Sequence, residues 1–170
     1  LELKDRNILE VGPGTGNLTE GILKKKPKKV IVIEKDNYLA SLMKNKFKGR
    51  IKVINQDILK TNENSLSDQI LTVFGNLPYN ISTEILINWI LNIKERPWFD
   101  FLILMFQKEV ADRIISNFDS KNYGRLSILS NWKLDIKKIC DIKPSSFYPK
   151  PKIDSTILFF KPKKQFFRLK

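Results

Sequence analysis

The sequence predicts an α/β fold built on a mostly parallel sheet. Three observations carry this reading. Short apolar runs recur at 8–11, 30–36, 51–59, 70–79 and 101–110. Segments with helical spacing, such as YLASLMKNKF and ISTEILINWILNI, alternate with them. A glycine cluster, GPGTG, follows the first run directly. Strands covered on both faces read as continuous apolar runs, and alternation with helices supplies that cover.

ILEV (8–11) is the first strand, followed by the glycines and then by helix-permissive residues. VIVIEKD (30–36) is the second and ends in acids. YLASLMKNKF (38–47) sets Leu39, Leu42, Met43 and Phe47 near one helical face. IKVINQDIL (51–59) is the third strand, ending in Asp57, and ILTVFGNLPY (70–79) the fourth, ending in Asn76. ISTEILINWILNI (81–93) reads as a helix with Ile81, Ile85, Trp89 and Ile93 on one face. Ser82 or Thr83 helps its start, and Pro78 closes off what precedes it. FLILMFQKEV (101–110) is the fifth strand and RLSILSNWKL (125–134) a further helix. IKKICDIK (136–143) and STILFFK (155–161) read as strands joined by the proline-rich PSSFYPKPK (144–152). That link is short for a helical crossover, so an antiparallel end to the sheet is expected. Trp89, Trp98 and Trp132 read as core or near-core residues. Phe166 and Phe167 have no obvious later element to pack on.

Composition narrows the function classes. A chain of 170 residues with 42% apolar content suits one domain, 1–170, with a full core. No run approaches the roughly 18 apolar residues of a membrane span, and no secretory signal is visible. Cys140 is the only cysteine, which excludes an internal disulfide and a cysteine metal site. There is no histidine, so no histidine-based triad or zinc site can be built from this chain. These features suit a cytoplasmic protein, and no metal is expected. The formal charge of +13 favours a polyanionic partner. Of the 31 basic residues 25 are lysine, and an AT-rich genome would drive the same drift toward Lys, Asn and Ile.

EVGPGTGNL (10–18) places Gly12, Gly14 and Gly16 between a strand and a helix, where they permit a tight turn and close approach of a ligand. No GK[ST] follows, which disfavours a P-loop ATPase. Glu34 closes the next strand, where an acid accepts hydrogen bonds from ribose hydroxyls. Asp57 lies farther along the same edge and suits the exocyclic amine of an adenine. Alone, either acid reads equally as a cap or loop residue. Glu10 either braces the loop or meets the amino group of a methionyl moiety. The spacing GPGTG departs from GxGxxG and shifts weight from NAD to a methyl donor.

GNLPYN (75–80) follows the fourth strand at the point where the strand order of such sheets reverses. An amine on an aromatic base is a poor nucleophile, because its lone pair is delocalised into the ring. Acceptors for both N–H groups draw the nitrogen toward tetrahedral geometry. Asn76 offers a side-chain carbonyl and Leu77 a backbone carbonyl held by Pro78. Tyr79 can stack on the base, a contact worth about 1–3 kcal/mol. No strong general base is needed, and alignment and electrostatics carry the rate. Phe147, in FYPKPKIDS (147–155), is a second wall for a base turned out of its stack. Lys150 and Lys152 meet phosphates or merely solvate that loop. Glu109 and Arg113 are spaced for a helix ion pair. Lys108, Arg113 and Arg125 are possible RNA contacts.

EVGPGTGNLT, IEKD, QDIL, GNLPYNIST, QKEVADR, YGRLS and FYPKPKIDS together resemble the small-subunit ribosomal RNA adenine dimethyltransferases. The resemblance covers nearly the whole chain, and GNLPYNIST with FYPKPKIDS is its most specific part. It implies a seven-stranded class I S-adenosylmethionine-dependent methyltransferase core with an antiparallel final strand. It implies transfer of methyl groups to N6 of two adjacent adenines near the 3′ end of small-subunit rRNA, in an immature ribosomal particle. By the same resemblance Gly12, Gly14, Glu34 and Asp57 hold the donor, with Glu10, Lys35, Ile58 and Asn76 in the same set. Asn76, with Leu77, Pro78 and Tyr79, forms the catalytic loop, and Tyr79 and Phe147 sandwich the target adenine. The family's N-terminal donor-covering motif and C-terminal helical domain are not in these 170 residues. The chain is therefore expected to be a truncated catalytic domain, monomeric, and weak or inactive by itself. Rival readings are a large-subunit rRNA methyltransferase of the macrolide-resistance type, a DNA adenine methyltransferase, a non-catalytic assembly factor and, from fold alone, a dehydrogenase.

Overall fold

The computed structural model describes residues 2–93, 96–147 and 150–166. Phe167, singled out in the sequence, lies outside them, as does Pro149 of FYPKPKIDS. The chain divides into two compact units, Leu1–Asn76 with Trp98–Asp100, and Leu77–Pro97 with Phe101–Lys170. The strands are ordered β3-β2-β1-β4-β5-β7-β6 in a seven-stranded mixed sheet.

The first unit contains β1 (Asn7–Val11), α1 (Asn17–Lys24), β2 (Lys29–Glu34), α2 (Asn37–Phe47), β3 (Lys52–Asn55) and β4 (Leu71–Gly75). The pairs β1–β2, β1–β4 and β2–β3 are all parallel. The continuous apolar runs behave as a two-sided sheet requires, with Ile8, Leu9, Ile31, Val32 and Val73 fully buried. Met43 and Phe47 of α2 pack with Ile8, Ile22, Val30 and Val32. Asp36 caps α2 by accepting the Leu39 N–H at 2.8 Å. At the opposite end of the strands, Arg6 pairs with Asp100, and the Thr72 hydroxyl donates to the same carboxylate at 2.8 Å.

The second unit contains α3 (Tyr79–Leu91), β5 (Phe99–Gln107) from Phe101 onward, α4 (Lys108–Ile114), α5 (Arg125–Lys133), β6 (Leu134–Ile142) and β7 (Ser155–Pro162). Strand β7 runs antiparallel to both β5 and β6, and the antiparallel β6–β7 pair is the one expected from their proline-rich link, which carries no α-helix. Strand β6 carries exposed lysines and a register shift between Lys138 and Cys140, devices that discourage edge-to-edge pairing. Among the described residues no helix is long and apolar enough to cross a membrane.

Several local expectations are corrected. Helix α3 begins at Tyr79, not Ile81, because Pro78 serves as its N-cap residue and the fixed φ of proline suits a helix entrance. The Ser82 hydroxyl donates to the Tyr79 carbonyl at 3.1 Å from inside the helix. Strand β3 stops at Asn55, so Asp57 lies two residues beyond it. The i,i+4 pair on α4 is Lys108–Asp112 at 3.2 Å rather than Glu109–Arg113. Phe166 does find a partner: its ring lies edge-on to Trp132 at 6.1 Å, and the Lys133 ammonium lies 5.1 Å from it. Trp89 and Trp98 are buried, whereas Trp132 is half-buried.

Candidate active site

In the first unit β1 lies between β2 and β4, so the strand order reverses there. Open α/β sheets bind ligands beyond the C-terminal strand ends at such a point. Val11 and Gly75 are register partners at the ends of β1 and β4. Gly12 and Asn76 come next. Gly12 has φ +70°, and a Cβ there would stand 3.3 Å from the Asn76 carbonyl oxygen. Its N–H donates to the Ile33 carbonyl at 3.0 Å. The turn is thus tied to β2 and lies against the first residue past β4. Asn76 itself is exposed, at the strand end where the sequence reading put it.

The other glycines differ in purpose. A Cβ on Gly14 would meet nothing within 4 Å, so the loop is open there. One on Gly16 would stand 2.7 Å from the Phe47 ring and 2.9 Å from the Met43 sulfur. Gly16 is therefore a packing glycine, pressed onto α2. The sequence could show three glycines but not this division among them.

Three acids sit along the same edge. Glu34 closes β2 and is nearly buried; its carboxylate accepts the Gly14 N–H at 3.4 Å and the Asp36 N–H at 2.9 Å. Asp57 precedes the short 3-10 turn Ile58–Lys60 and accepts the Leu59 N–H at 3.0 Å. Its other oxygen lies 2.9 Å from the Lys35 ammonium. That hydrogen bond, followed by the one from the Leu59 amide, holds the Asp57 carboxyl below its usual range. Ile58 is buried and Lys35 exposed.

Glu10 is 1% exposed, and the Thr19 hydroxyl donates to it at 2.6 Å. Burial pushes its carboxyl up to about 7, with the Thr19 bonds opposing the rise. Of the two roles the sequence left open, the geometry supplies bracing: Glu10 ties β1 to α1. Thr19 was not singled out in the sequence, since a threonine in a first helical turn carries no distinctive signal.

In the second unit Leu77 is buried and Pro78 exposed. The Pro78 carbonyl accepts the Ile81 and Ser82 N–H groups at 3.1 and 3.0 Å. Tyr79 is half-buried, with its phenol oxygen 2.6 Å from the Ser155 hydroxyl. Phe147, also half-buried, ends the 3-10 turn Pro144–Ser146. Ser155 stood inside the quoted FYPKPKIDS without a role; a serine opening an otherwise apolar strand was its only signal.

The basic candidates separate. Lys108 is engaged with Asp112 and lies 3.8 Å from Asp141. Arg113 is exposed and lines a polar cleft of about 240 Å³ with Lys121, Asn122, Tyr123, Gly124 and Leu126. Exposed Phe118 stacks edge-on against Tyr123 beside it, at 5.7 Å. The cleft is held together by buried Ser127, which donates to the Arg113 carbonyl at 2.7 Å and accepts the Gly124 N–H at 3.2 Å. QKEVADR and YGRLS are therefore stitched to each other. Arg125, Lys150 and Lys152 are exposed. Lys121 and Tyr123 were not singled out in the sequence.

A family model described as ribosomal RNA adenine dimethylase matches residues 1–170. The ribosomal RNA small subunit methyltransferase A of Pelagibacter ubique is 66% identical over 99% of this chain and 64% of its own length. A crystal structure of a dimethyladenosine transferase from Plasmodium falciparum aligns with TM-score 0.83 at 35% identity, covering 95% of this chain and 58% of that one. The 23S rRNA methyltransferase ErmE aligns with TM-score 0.77 at 27% identity, covering 97% and 65%. The chain thus spans less than two thirds of the length of each of these relatives. Its fold is the class I S-adenosylmethionine-dependent methyltransferase fold, and the chain belongs to the ribosomal RNA adenine dimethylase family.

Proposed function

We propose that the whole protein transfers methyl groups from S-adenosylmethionine to N6 of two adjacent adenines near the 3′ end of small-subunit rRNA, during ribosome maturation. The observation that carries this reading is the placement of Asn76 directly past β4 and against the Gly12 turn, at the strand-order reversal. The small-subunit methyltransferase name of the 66% identical relative supports the choice of RNA.

The donor suits the residues present. The turn is open at Gly14, and acids stand at or just beyond the ends of β2 and β3. Neighbouring strands are about 4.8 Å apart, a spacing that lets Glu34 take the ribose hydroxyls and Asp57 the adenine amine of one nucleoside. When bound, S-adenosylmethionine supplies a methyl group activated on a sulfonium. Gly12 and Gly14 give it close backbone approach, Glu10 fixes the turn, and Lys35 keeps Asp57 ionised beside buried Ile58.

In this reading Asn76 accepts one N–H of the target amine through its side-chain carbonyl, and the Leu77 carbonyl accepts the other. Pro78 has no N–H to compete. The amine sheds its proton to water after it becomes cationic. Tyr79 and Phe147 hold the target adenine, while Arg113 and Arg125, with Lys108, Lys150 and Lys152, serve the phosphate backbone. The chain is taken as the catalytic domain of a cytoplasmic, monomeric enzyme acting on an immature particle.

The reaction is tested with the full-length protein, labelled donor, and immature small and large subunits, with the product nucleoside identified. N6,N6-dimethyladenosine in the small subunit is expected. Label confined to the large subunit would transfer the reading to the macrolide-resistance type, and donor binding without any transfer would favour an assembly factor.

A further inference from the structure

We propose that Ser155 is a positioning residue for the target base, acting through the phenol of Tyr79. The inference rests on the reading of Tyr79 as a base-stacking residue. Tyr79 opens α3, directly after the Pro78 cap. Its ring is half-buried, and its phenol oxygen lies 2.6 Å from the Ser155 hydroxyl. A stacking wall alone requires only a phenyl ring. A tyrosine whose hydroxyl meets a buried partner adds a fixed tilt, because the phenol end is held as well as the Cα.

The partner is well suited to be an anchor. Ser155 is 0% exposed. It opens β7, which lies between two strands, and its register partners are Gln107 on β5 and Ile142 on β6. Its neighbours are fastened too. The Asp154 carbonyl accepts the Lys108 N–H at 3.0 Å, and the Asp154 carboxylate lies 2.7 Å from the Lys143 ammonium. The Thr156 hydroxyl donates to Asp141 at 2.6 Å. Asp154, Ser155 and Thr156, at and just before the start of the strand that bears the anchor, are therefore all tied by side chain or backbone. A buried hydroxyl is costly unless paired, and the two hydroxyls satisfy each other. Phe147, the other candidate wall, belongs to the connection that leads into Ser155, so the anchor also closes the segment that carries it.

Stacking on a base depends on ring orientation, and releasing the phenol end lets the ring tilt about its side-chain torsions. The test uses the full-length enzyme and immature small subunits at low target concentration. Ser155→Ala and Tyr79→Phe should each lower kcat/KM for the target about five-fold, the equivalent of one hydrogen bond. The double variant should be no slower than either single one, and donor affinity should stay at the wild-type value. A Ser155→Ala loss that recurs in full in the Tyr79→Phe background overturns the proposal, as does wild-type turnover in either single variant. Tyr79→Ala tests the reading underneath. Near-inactive Tyr79→Ala with additive Ser155→Ala removes only the positioning role. Wild-type turnover by Tyr79→Ala removes the base contact itself, and the positioning role with it.

Discussion

Gly12 and Asn76 follow two neighbouring parallel strands that end in register, and the Asn76 carbonyl oxygen lies 3.3 Å from where a Gly12 side chain would begin. The turn proposed to hold the donor and the residue proposed to hold the target amine thus leave little room for a side chain between them. Gly12→Ala adds a methyl group in that gap and requires φ +70°, which an L side chain rarely adopts. A stability loss of about 1–2 kcal/mol is expected, with weaker donor binding, read by urea unfolding and by donor titration.

Asn76→Ala in the full-length protein should leave donor binding within a few-fold of wild type while lowering methyl transfer by about 100-fold or more, the usual scale for losing a transition-state hydrogen-bond partner. Single-turnover transfer and equilibrium donor binding separate the two effects. Normal turnover would remove this side chain from the chemistry.

Glu10 makes stability depend on pH. Its folded pKa of about 7 lies above the ordinary value of 4.5, so the folded state binds the proton more tightly. The resulting stabilisation is complete below pH 4.5 and is lost as pH rises through about 7. Glu10→Gln should flatten this slope, with a gain at pH 8 of at most about 3 kcal/mol and none at pH 4. Urea midpoints across this range measure it.

Arg113 and Lys121 line one cleft beside the Phe118–Tyr123 pair. Arg113→Ala with Lys121→Ala should weaken rRNA binding without selecting among sequences, and should reduce the salt dependence of binding by up to about two phosphate contacts. Lys108→Ala should change it less, since that ammonium is already shared with Asp112 and Asp141.

The fold was largely legible because its strands are buried on both faces, which leaves unbroken apolar runs such as VIVIE. Glu34 was legible as a strand-end acid because position along a parallel sheet follows from chain order, whereas Asp57 lies two residues past the end of β3. What stayed hidden depends on side-chain reach. That Asp57 caps a turn while pairing with Lys35, that Glu10 meets Thr19, and that Tyr79 meets Ser155 across the sequence are facts of three-dimensional proximity. The i,i+4 spacing offered both Lys108–Asp112 and Glu109–Arg113, and periodicity has no means to choose between them. The early start of α3 was missed because the helix begins right after Pro78, so the proline opens the helix instead of only ending what precedes it.

Gly16 has no room for a side chain because Met43 and Phe47 already occupy that space. The same two side chains help fill the apolar interior under β1 and β2. The shape of the glycine turn proposed to hold the donor is therefore inherited from hydrocarbon packing on its far side. Truncations such as Phe47→Leu, made at a buried core residue, should surface in a screen for impaired donor capture alongside those in the glycine turn itself.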